Sequence, residues 1–322
     1  MKIETICVLG GTGFLGRHLT ISLTKQGYQV RILSRHPHRH RDLLSREVDV
    51  METDIHDERQ LRERFAGMSA VINLVGILNE SGFDGSGFRR IHVELPGTVA
   101  AACKAAGVGH LLHMSALKAG ESTALSHYLR TKGEGENLIH AAAGADLAVT
   151  SFRPSVIFGH GDSFLSRFAL LLRFLPVVPL ACSEARLAPV YVDDVVAALI
   201  GALKDPSSHG QRYDLCGPRV YTLRQIVDYL SNLLQLRRFI ISLSPELSQR
   251  QARIMNRIPG KPFSMDNYLS LQTDSICPTD HRLPFMITPT PMEAVAPFYI
   301  GNHAHRTRYY QLRTIAGRDS ST

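Results

Sequence analysis

Thr5-Ile6-Cys7-Val8-Leu9 runs straight into Gly10-Gly11-Thr12-Gly13-Phe14-Leu15-Gly16. The first five residues are β-branched or apolar and predict a buried strand. The glycines read as G-x-G-x-x-G (Gly11, Gly13, Gly16) or as G-x-x-G-x-x-G (Gly10, Gly13, Gly16). Such a turn lets the backbone approach a pyrophosphate, whose charge rests on N–H groups and the positive end of the next helix. That helix is in the pattern too: Leu15, Leu19 and Leu23 recur at helical spacing, and Gly27 stands where it should end. A glycine pattern alone is weak. One that follows a strand and opens a helix at the head of a βαβ series predicts a dinucleotide site.

The series continues to about residue 155. Tyr28, Val30 and Ile32 alternate in a second strand, and Val48–Met51 is a weaker third. Ala70–Val75 reads as a buried fourth, His110–Met114 as a fifth and Leu147–Phe152 as a sixth. Helical patterns lie between them, including Pro96–Ala106 (followed by Gly107) and Ser126–Ala143. Such alternation predicts an α/β fold, a Rossmann-type doubly wound parallel sheet covered on both faces. After Pro154 the pattern becomes helical stretches at 164–174, 192–203 and 223–236, joined by Pro- and Gly-rich connections. The expected organisation is a cofactor domain over 1–155 and a smaller, irregular, mostly helical substrate or partner lobe over 156–322. Some of the later chain is expected back in the sheet.

Composition bounds the function. With 322 residues, 44% of them hydrophobic, the chain can bury a sizeable core, which excludes general disorder. The formal charge of +7 suits an anionic partner or plain solubility. Arg35-His36-Pro37-His38-Arg39-His40-Arg41 is broken by His and Pro, so no nucleic-acid arm is expected. Its histidines lack a Cys or carboxylate cluster, and no metal site is expected. Five cysteines without ligand or redox-pair spacing predict a reduced, cytoplasmic protein with inert thiols. The N-terminus lacks the features of a signal peptide. Phe168–Leu180 is broken by Arg173, Pro176 and Pro179 and cannot span a bilayer. Its apolar residues, with Arg167 and Arg173 interleaved, read either as lobe core or as a surface for a membrane-bound partner or lipid-like substrate.

The end of the second strand bears on which dinucleotide is held. An NAD site usually places Asp or Glu there for the ribose 2′-hydroxyl. Here Ser34 is followed by Arg35, with Arg39 and Arg41 beyond and no carboxylate before Asp42. Guanidinium groups suit a 2′-phosphate, so NADP(H) is expected ahead of NAD(H). Asp54 and Ile55, after the third strand, are expected at the adenine. Leu74, Val75 and Gly76 end the fourth strand where backbone must pass close to the cofactor.

Ser115 follows the fifth strand, and Tyr128-Leu129-Arg130-Thr131-Lys132 opens the next helix. Tyr128 and Lys132 share one helical face. In the expected chemistry Lys132 lowers the Tyr128 pKa and holds the nicotinamide ribose. Tyr128 exchanges a proton with a carbonyl oxygen that Ser115 also bonds.

These residues resemble the short-chain dehydrogenase/reductases of the extended or atypical type. The resemblance rests on Gly10–Gly16, Asp54-Ile55, Tyr128–Lys132, Arg153-Pro154-Ser155-Val156-Ile157-Phe158-Gly159 and Pro189-Val190-Tyr191-Val192-Asp193-Asp194-Val195. It places Thr12, Phe14, Leu15, Pro154 and Ser155 among the cofactor contacts. Within that group the chain resembles the nucleotide-binding accessory subunits of respiratory complex I and their bacterial relatives, through Tyr128–Glu136, Phe174–Leu180 and a late Thr290-Pro291-Met292-Glu293 step. The likeness implies NADP(H) held structurally and a peripheral place beside the inner face of a membrane or in a respiratory complex. Three functions stay open: NADP-dependent oxidoreduction of an apolar carbonyl or quinone-like substrate, a non-catalytic cofactor-stabilised binding or assembly role, and nucleotide-sugar epimerisation or dehydration. The substrate and oligomeric state have no signal. His92 stands where relatives carry Asn, and the Ser115-to-Tyr128 spacing is shorter than in sugar epimerases.

Overall fold

A computed structural model describes residues 4–121 and 125–301. The Arg-, Tyr- and His-rich end of the tail lies outside the described residues, as does the start of the N-terminus. The first half alternates as the sequence predicts: β1 (Thr5–Leu9), α1 (Phe14–Lys25), β2 (Gln29–Ser34), β3 (Val48–Glu52), α2 (Glu58–Phe65) and β4 (Ala70–Asn73). It continues through α3 (Ser86–Arg89), α4 (Leu95–Ala106), β5 (His110–Met114), α5 (His127–Ala142) and β6 (Ala148–Pro154).

The later chain holds β7 (Ile157–Phe158), α6 (Phe164–Phe174), β8 (Val177–Leu180), β9 (Arg186–Leu187), β10 (Val190–Tyr191) and α7 (Val192–Lys204). After these come β11 (Arg212–Leu215), β12 (Tyr221–Thr222), α8 (Leu223–Leu233), β13 (Phe239–Ser242), α9 (Pro245–Met255), α10 (Met265–Ser270) and α11 (Met292–Tyr299).

Seven strands form one sheet in the order β11-β6-β5-β4-β1-β2-β3, every pair parallel. The order reverses between β1 and β4, which opens a crevice at the carboxyl ends of those strands. Alternation along each strand feeds a core on either face. Ile6 and Val8 pack with Leu15, Leu19 and Leu23 of α1 and Val195 and Leu199 of α7. Cys7 and Leu9 pack with Leu61 and Phe65 of α2 and Val99 and Cys103 of α4 on the other face. β11 belongs to this sheet although it lies far along the chain, beyond α7.

A third core, built from Leu165 and Leu172 of α6, Val178 and Leu180 of β8 and Ile226 and Leu230 of α8, makes the C-terminal lobe. Lobe and sheet are tied by Asp194, whose carboxylate accepts from the Thr290 N–H at 2.7 Å and its hydroxyl at 2.9 Å.

One expectation is corrected. Cys216 and Cys277 form a disulfide across 61 residues, so the thiols are not all free. Local spacing could not show it, because only the return of β11 and the chain after α10 brings the two together. Cys7 and Cys103 are buried in the core, and burial pushes the Cys7 thiol up to about 12. Among the described residues no helix is long and apolar enough to cross a membrane.

Candidate functional site

The glycine turn is shaped by contact. Gly10 has φ +78°, and a Cβ there would lie 3.2 Å from the Leu74 backbone. A Cβ on Gly11 would meet the Ile32 side chain at 2.9 Å, and one on Gly16 would meet the Gly10 carbonyl oxygen at 2.3 Å. Gly13 differs. Its φ of −78° and ψ of −179° suit any residue, and its nearest neighbour is the Gly10 carbonyl oxygen at 3.3 Å. It is the N-cap of α1 with no side-chain cap, so the first N–H groups of α1, at Phe14, Leu15 and Gly16, are left for another acceptor. Beside this turn a cleft of about 710 Å³ is lined by Thr12, Gly13, Phe14, Arg17, His18 and His160, among others. It runs outward along α1 towards Asp42, away from the carboxyl end of β5.

The end of β4 links this turn to the candidate catalytic group. Leu74 presses on Gly10, and a Cβ on Gly76 would lie 3.0 Å from Lys132 Nζ and 3.7 Å from His92 Nε2. Lys132 Nζ donates to the Met114 carbonyl at 2.9 Å, the residue before Ser115. The Ser115 hydroxyl is buried and has no hydrogen-bond partner. The Tyr128 ring stands edge-on to His92 at 5.4 Å and to Phe88 at 6.4 Å. Contacts therefore run from Gly10 through Leu74 to Gly76 and Lys132 at the carboxyl edge of the sheet, with Tyr128 joined through His92 and Ser115 following the Met114 carbonyl that Lys132 holds.

Helix α5 is held where that convergence needs it. Ser126 caps the Leu129 N–H. Asp266, at the start of α10, accepts from the N–H groups of His127 and Tyr128 at 2.7 and 3.1 Å. The glycines of Tyr128–Glu136 permit close approach: a Cβ on Gly133 would lie 2.2 Å from Gly120, and one on Gly135 1.7 Å from the His92 carbonyl. Glu136 is fully buried. Arg153 of β6 grips both its oxygens, with Nε at 2.9 and 3.0 Å, and Arg212 of β11 adds a contact at 3.3 Å. Removing one partner of such a group leaves a buried charge uncompensated.

His92 lies in a π turn, Arg90–Glu94, between α3 and α4. Its Nε2 accepts from the Ile77 N–H at 3.1 Å, which puts the ring proton on Nδ1, facing Thr131 Oγ1 at 3.1 Å. Burial holds its pKa down to about 2, with Lys132 and His113 acting in the same direction. His92 is thus a neutral strut that fixes the loop after β4 to α5.

The titration of the Tyr–Lys pair departs from the sequence expectation. Burial pushes Tyr128 up to about 12, and the Asp266 carboxylate acts the same way. Burial pushes Lys132 down to about 8, opposed by Glu136. The surroundings of Tyr128 in the protein alone therefore favour the phenol over tyrosinate.

Other expected contacts fall on several loops. Arg35 and Arg39 are exposed just beyond β2 and form no salt bridge among the described residues. Burial depresses the pKa of His56, and Arg90 and Arg35 act the same way against the opposing carboxylates of Asp54 and Glu94, so charges of both signs from the loops after β2 and β3 and from the π turn reach this ring. Asp54 is exposed after β3 and turns one oxygen onto the His56 N–H at 3.0 Å, while Ile55 packs against the core. Val75 accepts no side-chain role; its N–H donates to Asn73 Oδ1 at 3.1 Å. Pro154 ends β6. The Ser155 hydroxyl bonds the Ser275 carbonyl at 2.7 Å, so it ties down the chain after α10. Sequence reasoning missed Asp266, Glu136 and the inward turn of His92, whose roles depend on partners distant in the chain.

A parallel sheet with a glycine turn at its switch point and a Tyr–Lys helix at its edge defines a dinucleotide-binding α/β protein. Residues 6–216 match the NAD dependent epimerase/dehydratase family, and the chain belongs to that family. It is 31% identical over 303 residues to the Mus musculus mitochondrial NADH dehydrogenase (ubiquinone) 1 alpha subcomplex subunit 9, covering 89% of this chain and 77% of that protein. It is 33% identical over 202 residues to a ceramide reductase of Caulobacter vibrioides, covering 62% of this chain and 61% of that protein. Among solved structures it is similar in fold to UDP-glucose 4-epimerase of Thermotoga maritima, with TM-score 0.65 and 18% identity over 83% of this chain and 97% of that one.

Proposed function

We propose that the chain binds NADP(H) on its 1–155 unit and reduces an apolar carbonyl or quinone-like substrate that faces the 156–322 lobe. The observation that carries this reading is the buried, unpartnered hydroxyl of Ser115, the residue after Met114, whose carbonyl takes one donor of the Lys132 ammonium. An orphaned hydroxyl and spare ammonium donors at a strand edge await ligand oxygens. The backbone without side chains at Gly13 and Gly76, where a Cβ at Gly76 would crowd Lys132 Nζ, and the free N–H groups of α1 fit a dinucleotide in the same crevice. Bound NADPH would supply hydride. Lys132 would bond ribose hydroxyls, Ser115 would hold the substrate oxygen, and Tyr128, protonated through neutral pH, would give that oxygen its proton. The ceramide reductase likeness supports an apolar substrate.

The test is to identify the nucleotide that co-purifies and then follow NADPH oxidation against a panel of long-chain carbonyls and quinones. Arg35→Ala should weaken NADPH binding by about 1.5–3 kcal/mol, the range for a hydrogen bond to a charged group, with NADH little affected. Equal losses for the two nucleotides would remove Arg35 from the 2′-phosphate.

The affinity should also depend on pH. Below about 8 Lys132 is charged, and above it the ammonium loses its proton. A ligand that accepts from Nζ and carries phosphates raises that pKa, so binding above this point takes up a proton. NADPH affinity should be full below pH 8 and fall as pH rises through it, with Lys132→Met removing the dependence. Calorimetry in buffers of different ionisation enthalpy reads the proton directly.

The raised Tyr128 pKa also favours a second reading, a cofactor-stabilised assembly subunit like the mitochondrial relative. In that case NADPH stays bound through purification and no substrate in the panel consumes it.

A further inference from the structure

Helix α6 buries Leu165, Ala169 and Leu172, yet its opposite stripe is also apolar. Leu170, Leu171 and Phe174 share that outer stripe with Arg167, and Phe174 is 75% exposed. The face continues onto the small parallel sheet that follows. Phe239 of β13 pairs with Val177 of β8 and Ile241 with Pro179, so all four project outward together. Phe239 is 74% exposed. Arg238 stitches the two parts by donating to the Leu172 carbonyl at 2.6 Å. Helix α9 adjoins the same sheet through Gln251, which donates to the Pro179 carbonyl at 3.1 Å. Its exposed Leu247 and Ile254 lie beside a stripe of Arg250 and Arg253.

The charge on this face is predominantly positive. Residues 164–180 contain no acid, and α9 carries only Glu246. Arg167, Arg237, Arg250, Arg253 and Arg257 form no salt bridge among the described residues. A second copy of the chain would set these guanidiniums against themselves. The tail over 302–322 has four arginines and one aspartate and carries the same sign. An apolar centre with a guanidinium fringe matches a bilayer interface with anionic headgroups, where aromatic side chains enter the acyl boundary and arginines meet phosphates.

We propose that the outer face of α6, β8, β13 and α9 seats the protein peripherally on an anionic membrane. This goes beyond the cofactor reading and holds whether or not NADPH turns over.

The chain contains no tryptophan, so Phe174→Trp places a single reporter in the face. With vesicles of phosphatidylglycerol and phosphatidylcholine its emission should shift to the blue and be quenched by bromine-labelled acyl chains. Pure phosphatidylcholine should bind far less, and high salt should release the protein. Phe174→Glu with Phe239→Glu should lower partitioning by roughly a hundredfold, as for two aromatic anchors, while far-ultraviolet circular dichroism stays unchanged. Absence of vesicle binding overturns the proposal. So does binding without a spectral change, which puts the contact elsewhere, or a blue shift that follows protein concentration without lipid, which makes the face a contact between copies.

Discussion

Gly13→Val should yield a folded protein that no longer binds NADPH. The four glycines of the turn are not equivalent, and that difference makes the substitution informative. Gly10 occupies left-handed backbone, Gly11 lies under Ile32, and Gly16 touches the Gly10 carbonyl. The fold itself requires those three. Gly13 has an ordinary extended backbone, and the nearest atom to its Cβ position, the Gly10 carbonyl oxygen at 3.3 Å, would have to give by only a few tenths of an ångström. A valine there costs helix α1 no more than a weaker N-cap, about 1 kcal/mol. It would, however, stand over the N–H groups on which a pyrophosphate rests. The expected pattern is a small fall in melting temperature, complete loss of NADPH binding by calorimetry, and loss of the usual thermal stabilisation by ligand. Gly16→Val, by contrast, should fail to fold. Near-wild-type NADPH affinity in Gly13→Val would place the nucleotide elsewhere.

The contrast between Gly13 and Gly16 also shows what a sequence can convey. The motif marks the turn because strand, glycines and helix are contiguous, and the alternation of Ile6, Cys7, Val8 and Leu9 between two cores is a local property of a strand. Which glycine serves the ligand and which serves packing depends on Ile32 and Leu74, residues of other strands. The same limit applies to Glu136. Within Tyr128–Glu136 it reads as one more acid on a helix, and only Arg153 and Arg212, on strands reached much later, turn it into a buried ion cluster. Pro96 marks a helix start correctly in kind, yet the chain is already helical from Ser86 through the π turn that aims His92 inward. The place of Arg35 is legible because it is local, the residue that follows β2. The Tyr128 pKa is not, because burial by distant elements and Asp266 outweighs its helical neighbour Lys132.

Tyr128→Phe should lower carbonyl reduction by about 10²- to 10⁴-fold and leave NADPH binding nearly intact, if Tyr128 is the proton donor. The substitution removes the hydroxyl and keeps the ring that packs against His92 and Phe88. The backbone N–H at this position still donates to Asp266, so the start of α5 is preserved. The loss should therefore fall on kcat rather than on folding. Because the phenol pKa stands at about 12, the reduction rate should not decline through tyrosine ionisation near neutral pH. Any alkaline fall beginning near pH 8 belongs to Lys132. Lys132→Ala should harm both binding and turnover, since Nζ is proposed to bond the ribose and donates to the Met114 carbonyl. Ser115→Ala separates the alternatives further. It removes a buried hydroxyl that has no protein partner, so stability should hold or rise slightly while turnover falls. A subunit that only stores its nucleotide would show another pattern: NADPH lost with Lys132→Ala, and no measurable consequence of removing the Ser115 or Tyr128 hydroxyl.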